Sequence, residues 1–213
     1  MSNDWKELMF GKSIYFITDR KYCNLPIYDM VSAVLDAGIR FIQYREKDRT
    51  RREIHEEASR LRELTSRYDA LLFINDHADI ALAVDADGVH LGQDDLPIEE
   101  ARRIMGKKII GISTHGPEQA KSAERGGADY IGFGPVFHTT TKDAGSPKGV
   151  DALRSVREVV GIPVVAIGGI NENNMGAVLD AGAAAVAVAT AICKGNIAEN
   201  ARRLFKLTNY RKL

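Results

Sequence analysis

The chain has 213 residues, 45% of them hydrophobic, with 29 Lys plus Arg balanced against 29 Asp plus Glu. That length and apolar content can bury a sizeable core and imply a soluble globular protein. The even charge balance excludes a general field for nucleic acid or an anionic membrane, so an acidic ligand has to be held by local charges. Two cysteines, Cys23 and Cys193, have no metal-type spacing and make no disulfide framework in a chain this long; both are expected to be reduced and structural.

In chain order, "MSNDWKELMF" mixes Asp4, Lys6 and Glu7 into its apolar residues and carries no signal-peptide core. Residues 1–12 read as a short N-terminal extension. No run of about 18 apolar residues follows anywhere, and the cytoplasm is the expected compartment. From Ser13 onward, eight short apolar runs recur: "SIYFIT", "IRFIQYR", "ALLFIN", "DGVHLG", "KIIGIS", "DYIGFG", "IPVVAIG" and "AAAVAVA". Helical-period stretches separate them, such as residues 51–68, where Ile54, Ala58, Leu61 and Leu64 share one face. Several strands are entered through a small-residue turn with Gly38, Gly127 or Gly182 just past a helix end. Irregular spacing and the lack of a linker argue against a solenoid or a two-domain split. Eight alternating units predict an α/β fold, one (β/α)₈ TIM barrel over residues 1–213, rather than an open doubly wound sheet, whose Gly-rich fingerprint is missing after the first strand.

In such a barrel the reacting groups lie on the loops at the carboxyl ends of the strands. Those ends carry Thr18 and Asp19; Gln43, Arg45 and Lys47; Asn75 and Asp76; Gln93, Asp94 and Asp95; Ser113 and His115; Thr139, Thr141 and Lys142; Gly168 and Gly169; and Thr190. In "QYREK" the period of two points Gln43, Arg45 and Lys47 one way and Tyr44 and Glu46 the other. Two cations beside an amide suit a phosphate-bearing ligand, while pairing with Glu46 and Asp48 on a solvated strand end is the plainer alternative. The loop over residues 133–149 brings Thr139, Thr140, Thr141 and Lys142, hydroxyls and an ammonium fit to clamp phosphate oxygens, and it is long for a βα connection. Gly168 and Gly169 let an anion approach backbone N–H groups near Ala189 and Thr190, though tight packing alone explains such a pair, and Asn171 or Asn173 is placed to cap the next helix.

Asp95 reads in two ways, as an N-cap for the helix that follows Pro97 or, with Asp76 on the neighbouring strand, as half of a hard oxygen site for Mg²⁺ and substrate phosphates. The five histidines form no zinc-type spacing; His90 sits mid-strand as a core residue, and His115 stands at the rim. No nucleophile elbow surrounds Ser113.

Taken together and in this order, "YFITD", "QYREK", "IND", "DGVHLGQDDLP", "GISTH", "GADYIGFGPVFHTTTK" and "IPVVAIGGI" resemble the thiamine-phosphate synthase family, from Tyr15 to Thr190. The resemblance implies a Mg²⁺-dependent transferase that joins a hydroxymethylpyrimidine diphosphate to a thiazole phosphate and releases pyrophosphate. It implies that Gln43, Tyr44, Arg45, Glu46 and Lys47, with Asn75, Ser113 and Lys142, hold the pyrimidine diphosphate. Asp76 and Asp95 would bind the metal; Thr139, Thr140, Thr141, Gly169, Ala189 and Thr190 would hold the thiazole phosphate. Lys142, Arg45 and Ser113 would act in catalysis. Relatives often carry Ser where Thr190 stands and Pro where His138 stands. Expected partners are small molecules, without nucleic acid or membrane, and a homo-oligomer is compatible with the sequence. A thiazole tautomerase, in which His115 would move a proton, and a non-catalytic sensor of phosphate ligands are the rival readings.

Overall fold

The computed structural model describes residues 5–6, 13–139 and 145–209. Its strands are β1 (Ser13–Ile17), β2 (Phe41–Tyr44), β3 (Leu71–Asn75), β4 (Gly88–Leu91), β5 (Ile109–Thr114), β6 (Tyr130–Phe133), β7 (Val164–Ile167) and β8 (Ala185–Val188). All pair in parallel and in sequential order, and β8 returns to β1, so the sheet closes into a barrel. Each of the eight predicted runs holds one strand, β5 passing the end of its run by one residue, Thr114. Helices α1 (Ile27–Asp36), α2 (Arg51–Arg67), α3 (Ala78–Ala83), α4 (Ile98–Met105), α5 (Pro117–Arg125), α6 (Gly149–Val159) and α7 (Met175–Asp180) fill the crossovers. After β8 the chain makes a single turn, α8 (Thr190–Cys193), before α9 (Ile197–Asn209). No helix among the described residues is long and apolar enough to cross a membrane.

Helix boundaries follow local chemistry. Thr50 and Glu53 form a reciprocal capping box that starts α2. The predicted turn glycines 38, 127 and 182 all adopt left-handed backbone, with φ of 100°, 94° and 96°, where a Cβ would be strained.

Alternation along the strands divides the core in two. Ile14 and Phe16 face outward into the layer shared with the helices, where Met30, Val31, Leu61 and Leu204 are buried. Tyr15 and Ile17 face the barrel interior with Phe41, Phe73, Ile109, Tyr130, Val165, Ala185 and Ala187. Tyr15 meets Phe73 edge to face at 5.4 Å between centroids and Phe73 meets Tyr130 in the same way at 5.8 Å, while Phe41 lies nearly parallel to Phe73. Of the N-terminal extension, Trp5 packs against this interior cluster.

Candidate active site

The carboxyl ends of the strands enclose a cavity of about 350 Å³, within the range of small-molecule sites. Its lining includes Arg45, Ser113, Thr139, Gly169, Ala189 and Thr190, six of the residues expected there from sequence, together with Asp19, Asp94 and His115 from the same rim. Its floor is apolar, formed by Ile17, Ile167 and Ala187. The pattern of the strands could not single these out, since a strand-end Ile reads as core; Ile167 is nevertheless 37% exposed.

Arg45 reaches the mouth because its backbone is clamped. Its N–H donates to Thr18 Oγ1 at 2.9 Å, and that hydroxyl donates to the Arg45 carbonyl at 3.2 Å. Among the described residues the Arg45 guanidinium makes no ion pair, which leaves a cation facing the cavity. Tyr44 and Glu46 point the other way, as the period of two requires. Tyr44 Oη donates to Glu57 on α2 at 2.5 Å, and Glu46 accepts from Arg20 Nε at 2.5 Å. Burial and the neighbouring Glu57 carboxylate raise the Tyr44 phenol, so it remains a donor. These two side chains therefore do not face the cavity, which corrects the expectation for the whole 43–47 segment: only Arg45 and Lys47 present charge on the mouth side. Gln43 points inward but lies beneath the mouth, 2% exposed, with its amide nitrogen donating to Tyr15 Oη at 3.1 Å.

Next to the cavity, β3 and β4 bring two carboxyl groups together. Asp76 and Asp95 are in hydrogen-bond contact, and the Lys47 ammonium pairs with Asp76. Asp76 has left-handed backbone (φ 63°) in a three-residue turn closed by the His77 N–H on the Asn75 carbonyl at 2.8 Å. Its own N–H donates to the His90 carbonyl on β4 at 2.9 Å. Asp69 and Asp85 share this backbone at helix-to-strand turns; at Asp76 the turn directs the carboxyl toward Lys47 and Asp95. Asn75 ends β3 in register with His90.

Asp95 does not cap a helix. Pro97 occupies the N-cap of α4 and no side chain caps it, while Asp95 Oδ2 accepts from the Gly92 N–H at 2.6 Å and so shapes the loop toward Asp76. Burial pushes both carboxyls up. At Asp76 the hydrogen bonds from Lys47 and Asp95 outweigh burial and hold it below the usual carboxylate range. Asp95, buried beside the Asp76 anion, is raised. Two carboxyls this close share either a proton or a cation, and Lys47 already supplies one positive charge there; a hard divalent ion with room for substrate oxygens fits the donor set. No group of three or more His, Cys, Asp or Glu stands ready to hold a metal among the described residues, so the pair alone would rely on ligand oxygens to complete a shell.

Across the cavity, Gly168 and Gly169 have φ of 102° and 64°. The Gly169 carbonyl accepts from Asn174 Nδ2 at 3.0 Å and Asn171 Nδ2 at 3.3 Å. Neither Asn171 nor Asn173 caps α7: Asn174 is the N-cap residue, and the Asn171 side-chain Oδ1 accepts from the Asn173 N–H at 2.9 Å. These amides are used to fix the glycine turn beside Thr139 and Thr190. Thr140, Thr141 and Lys142 lie outside the described residues.

His115 is at the rim as expected, its Nδ1 2.6 Å from the Gly134 carbonyl. Ser113 is held from two sides, its carbonyl accepting from Gln93 Nε2 at 2.6 Å and its Oγ lying 3.0 Å from His90 Nε2. The mid-strand position of His90 predicts a core residue, and the structure puts its ring against Ser113 Oγ.

Behind the Thr190 turn, Cys23 and Cys193 are both free and buried, and their thiols are in contact. Burial, with Cys23 and Asp19 nearby, pushes the Cys193 thiol up to about 12. At pH 8 only about one such thiol in 10⁴ is ionised, and the thiolate is the reactive form. Cys193 is expected to react with an aromatic disulfide reagent only after unfolding; rapid release of its chromophore by the native protein would contradict this.

The family model described as thiamine monophosphate synthase matches residues 14–192. A thiamine-phosphate synthase of Chloroflexus aurantiacus is 51% identical over 164 residues, covering 76% of each chain. One from Caldicellulosiruptor saccharolyticus is 44% identical over 205 residues, covering 94% of this chain and 93% of its own. Among solved structures, thiamine phosphate pyrophosphorylase from Pyrococcus furiosus superposes with a TM-score of 0.88 at 42% identity, over 95% of this chain and 98% of that one.

Proposed function

The chain belongs to the thiamine-phosphate synthase family, and on that premise we propose that it joins 4-amino-2-methyl-5-(diphosphooxymethyl)pyrimidine to 4-methyl-5-(2-phosphooxyethyl)thiazole, giving thiamine phosphate and pyrophosphate. The observation that carries this reading is the joining of two unlike half-sites at one barrel mouth. One half has the paired Asp76 and Asp95 carboxyls with Lys47 and Arg45. The other has Gly169, Ala189, Thr190 and Thr139 around small-residue turns.

The carbon–oxygen bond to the diphosphate breaks, a carbon–nitrogen bond to the thiazole forms, and the thiazole nitrogen's lone pair becomes that bond. Since the nitrogen attacks without losing a proton, no general base is needed. Arg45 and Lys47 hold the diphosphate and stabilise its growing charge, and Ser113 orients the same substrate. Asp76 and Asp95 would hold Mg²⁺, which when bound supplies positive charge to the leaving pyrophosphate oxygens. The family resemblance gives Lys142 the same anionic group and Thr140 and Thr141 the thiazole phosphate. Ile17, Ile167 and Ala187 present apolar surface where an electron-deficient pyrimidine methylene would sit, and limit water there. The two free thiols support a reducing compartment such as the cytoplasm.

The test is product formation by the purified protein from the two substrates, with Mg²⁺ and with chelator. Thiamine phosphate and pyrophosphate are expected in equal amounts, only with the metal. Asp95→Asn is expected to shift the Mg²⁺ titration upward by about tenfold or more, since a neutral amide is a poor ligand for a hard cation. An unchanged titration would remove Asp95 from the metal site. Isomerisation of a thiazole phosphate without use of the pyrimidine would favour a tautomerase, and binding without turnover a sensor.

A further inference from the structure

A line of hydrogen bonds runs through the barrel interior and ends at Ser113. Gln43 Nε2 donates to Tyr15 Oη at 3.1 Å, and Tyr15 Oη is 2.9 Å from Tyr130 Oη. Tyr130 Oη is 3.0 Å from His90 Nδ1, and His90 Nε2 is 3.0 Å from Ser113 Oγ. Gln43, Tyr15 and Tyr130 are 2%, 1% and 0% exposed. Of the five, only Ser113 lines the cavity.

The barrel gives up side chains to house this line. A Cβ on Gly111 would lie 2.0 Å from Tyr130 Cζ, and one on Gly132 would lie 3.1 Å from His90 Cε1. Neither glycine has positive φ, so backbone conformation does not account for them; the space taken by the phenol and the imidazole does. An apolar filling of the same volume can be about as stable, because each hydrogen bond adds only a little net stability. Stability alone therefore gives no reason for four linked polar groups below a catalytic serine.

The Gln43 amide, with its nitrogen toward Tyr15, sets the direction of the line. The Gln43 nitrogen can only donate, so the Tyr15 hydrogen has one described acceptor, Tyr130 Oη. Tyr130 then turns its own hydrogen to its other partner, His90 Nδ1. Burial raises both phenols, so both keep their hydrogens at neutral pH. A neutral His90 that accepts at Nδ1 carries its hydrogen on Nε2.

We propose that His90 is a positioning residue: held as the Nε2–H tautomer by Gln43, Tyr15 and Tyr130, it donates to Ser113 Oγ and turns the serine hydrogen into the cavity, toward an acceptor atom of the pyrimidine diphosphate. This rests on the substrate assignment of Ser113 made above. It adds that Ser113 acts as a donor, and that its direction is set from the barrel interior.

Two measurements test it on the intact protein. In histidine-¹⁵N-labelled protein, with the His90 signals identified by their loss in His90→Gln, a long-range ¹H–¹⁵N correlation is expected to show the Nε2–H tautomer without any ligand. In Tyr130→Phe the same signals are expected to shift toward a mixture. An Nδ1–H tautomer in the parent overturns the proposal. In kinetics, Ser113→Ala and His90→Leu are each expected to lower kcat by about tenfold, and the double variant by no more than the larger single loss, because both remove the same contact. The KM for the thiazole phosphate is expected to stay within about twofold throughout, which a merely structural loss would not spare. His90→Gln, which keeps a nitrogen donor near the Nε2 position, is expected to recover most of the loss. Additive losses overturn the proposal; if His90→Leu does not fold, Tyr130→Phe replaces it in the cycle under the same criterion. Parent-rate turnover by Ser113→Ala would instead overturn the substrate assignment of Ser113, and the tautomer measurement separates the two failures.

Discussion

Asp76→Asn is expected to lower kcat/KM for thiamine phosphate formation by about 10²-fold or more, the scale of losing one charge that organises a transition state. The substitution is close to isosteric, and Asn accepts left-handed backbone as readily as Asp, so the turn at φ 63° is retained. What is lost is the anion that Lys47 and Asp95 both contact. The thermal midpoint is therefore expected to stay near that of the parent. Asp79→Asn serves as the control: this carboxylate is 64% exposed and pairs with Arg51 on the surface, an interaction worth about 0–1 kcal/mol, and its loss should leave turnover unchanged. Steady-state kinetics within about threefold of the parent for Asp76→Asn would take Asp76 out of the reaction.

Gly169→Ala is expected to destabilise the fold by about 2–4 kcal/mol and to raise the KM for the thiazole phosphate. Its backbone sits at φ 64°, where an L side chain is strained, and a Cβ there would come 2.3 Å from the His138 carbonyl oxygen and 2.9 Å from Phe137 Cβ. Both neighbours belong to the loop that carries Thr139, so relief of the clash has to move that loop. Gly145→Ala is the comparison, with φ 72° but nothing among the described residues within 4 Å of the added Cβ, so it bears the backbone strain without that clash. Equal denaturation midpoints for the two variants would show that the close approach at Gly169 has no energetic weight.

The contrast between Asp95 and Arg45 shows how far the linear order of residues carries. For Arg45, parity along an extended strand was enough: Tyr44 turned out toward Glu57 and left Arg45 on the mouth side. For Asp95, one residue type fitted two roles, helix cap or metal ligand; the positions of Pro97 and Gly92 removed the first, and the closeness of Asp76 is what the proposed metal site rests on. His90 is the harder case. Mid-strand placement correctly put it inside, yet its contact with Ser113 spans two strands, and nothing local marks it.

The barrel itself was legible because it repeats a local rule eight times. Strand runs, helical faces and turn glycines each depend on neighbours within a few residues, and closure follows once eight such units alternate. The ordered motifs likewise identified the family, and the strand-end rule pointed to the rim that encloses the cavity. Distances between side chains on different strands depend on register and on which rings fill the interior. Those are set by packing among residues distant in sequence, and so the carboxyl pair of Asp76 and Asp95, the outward turn of Glu46 toward Arg20, and the line from Gln43 to Ser113 were decided only when the chain closed on itself.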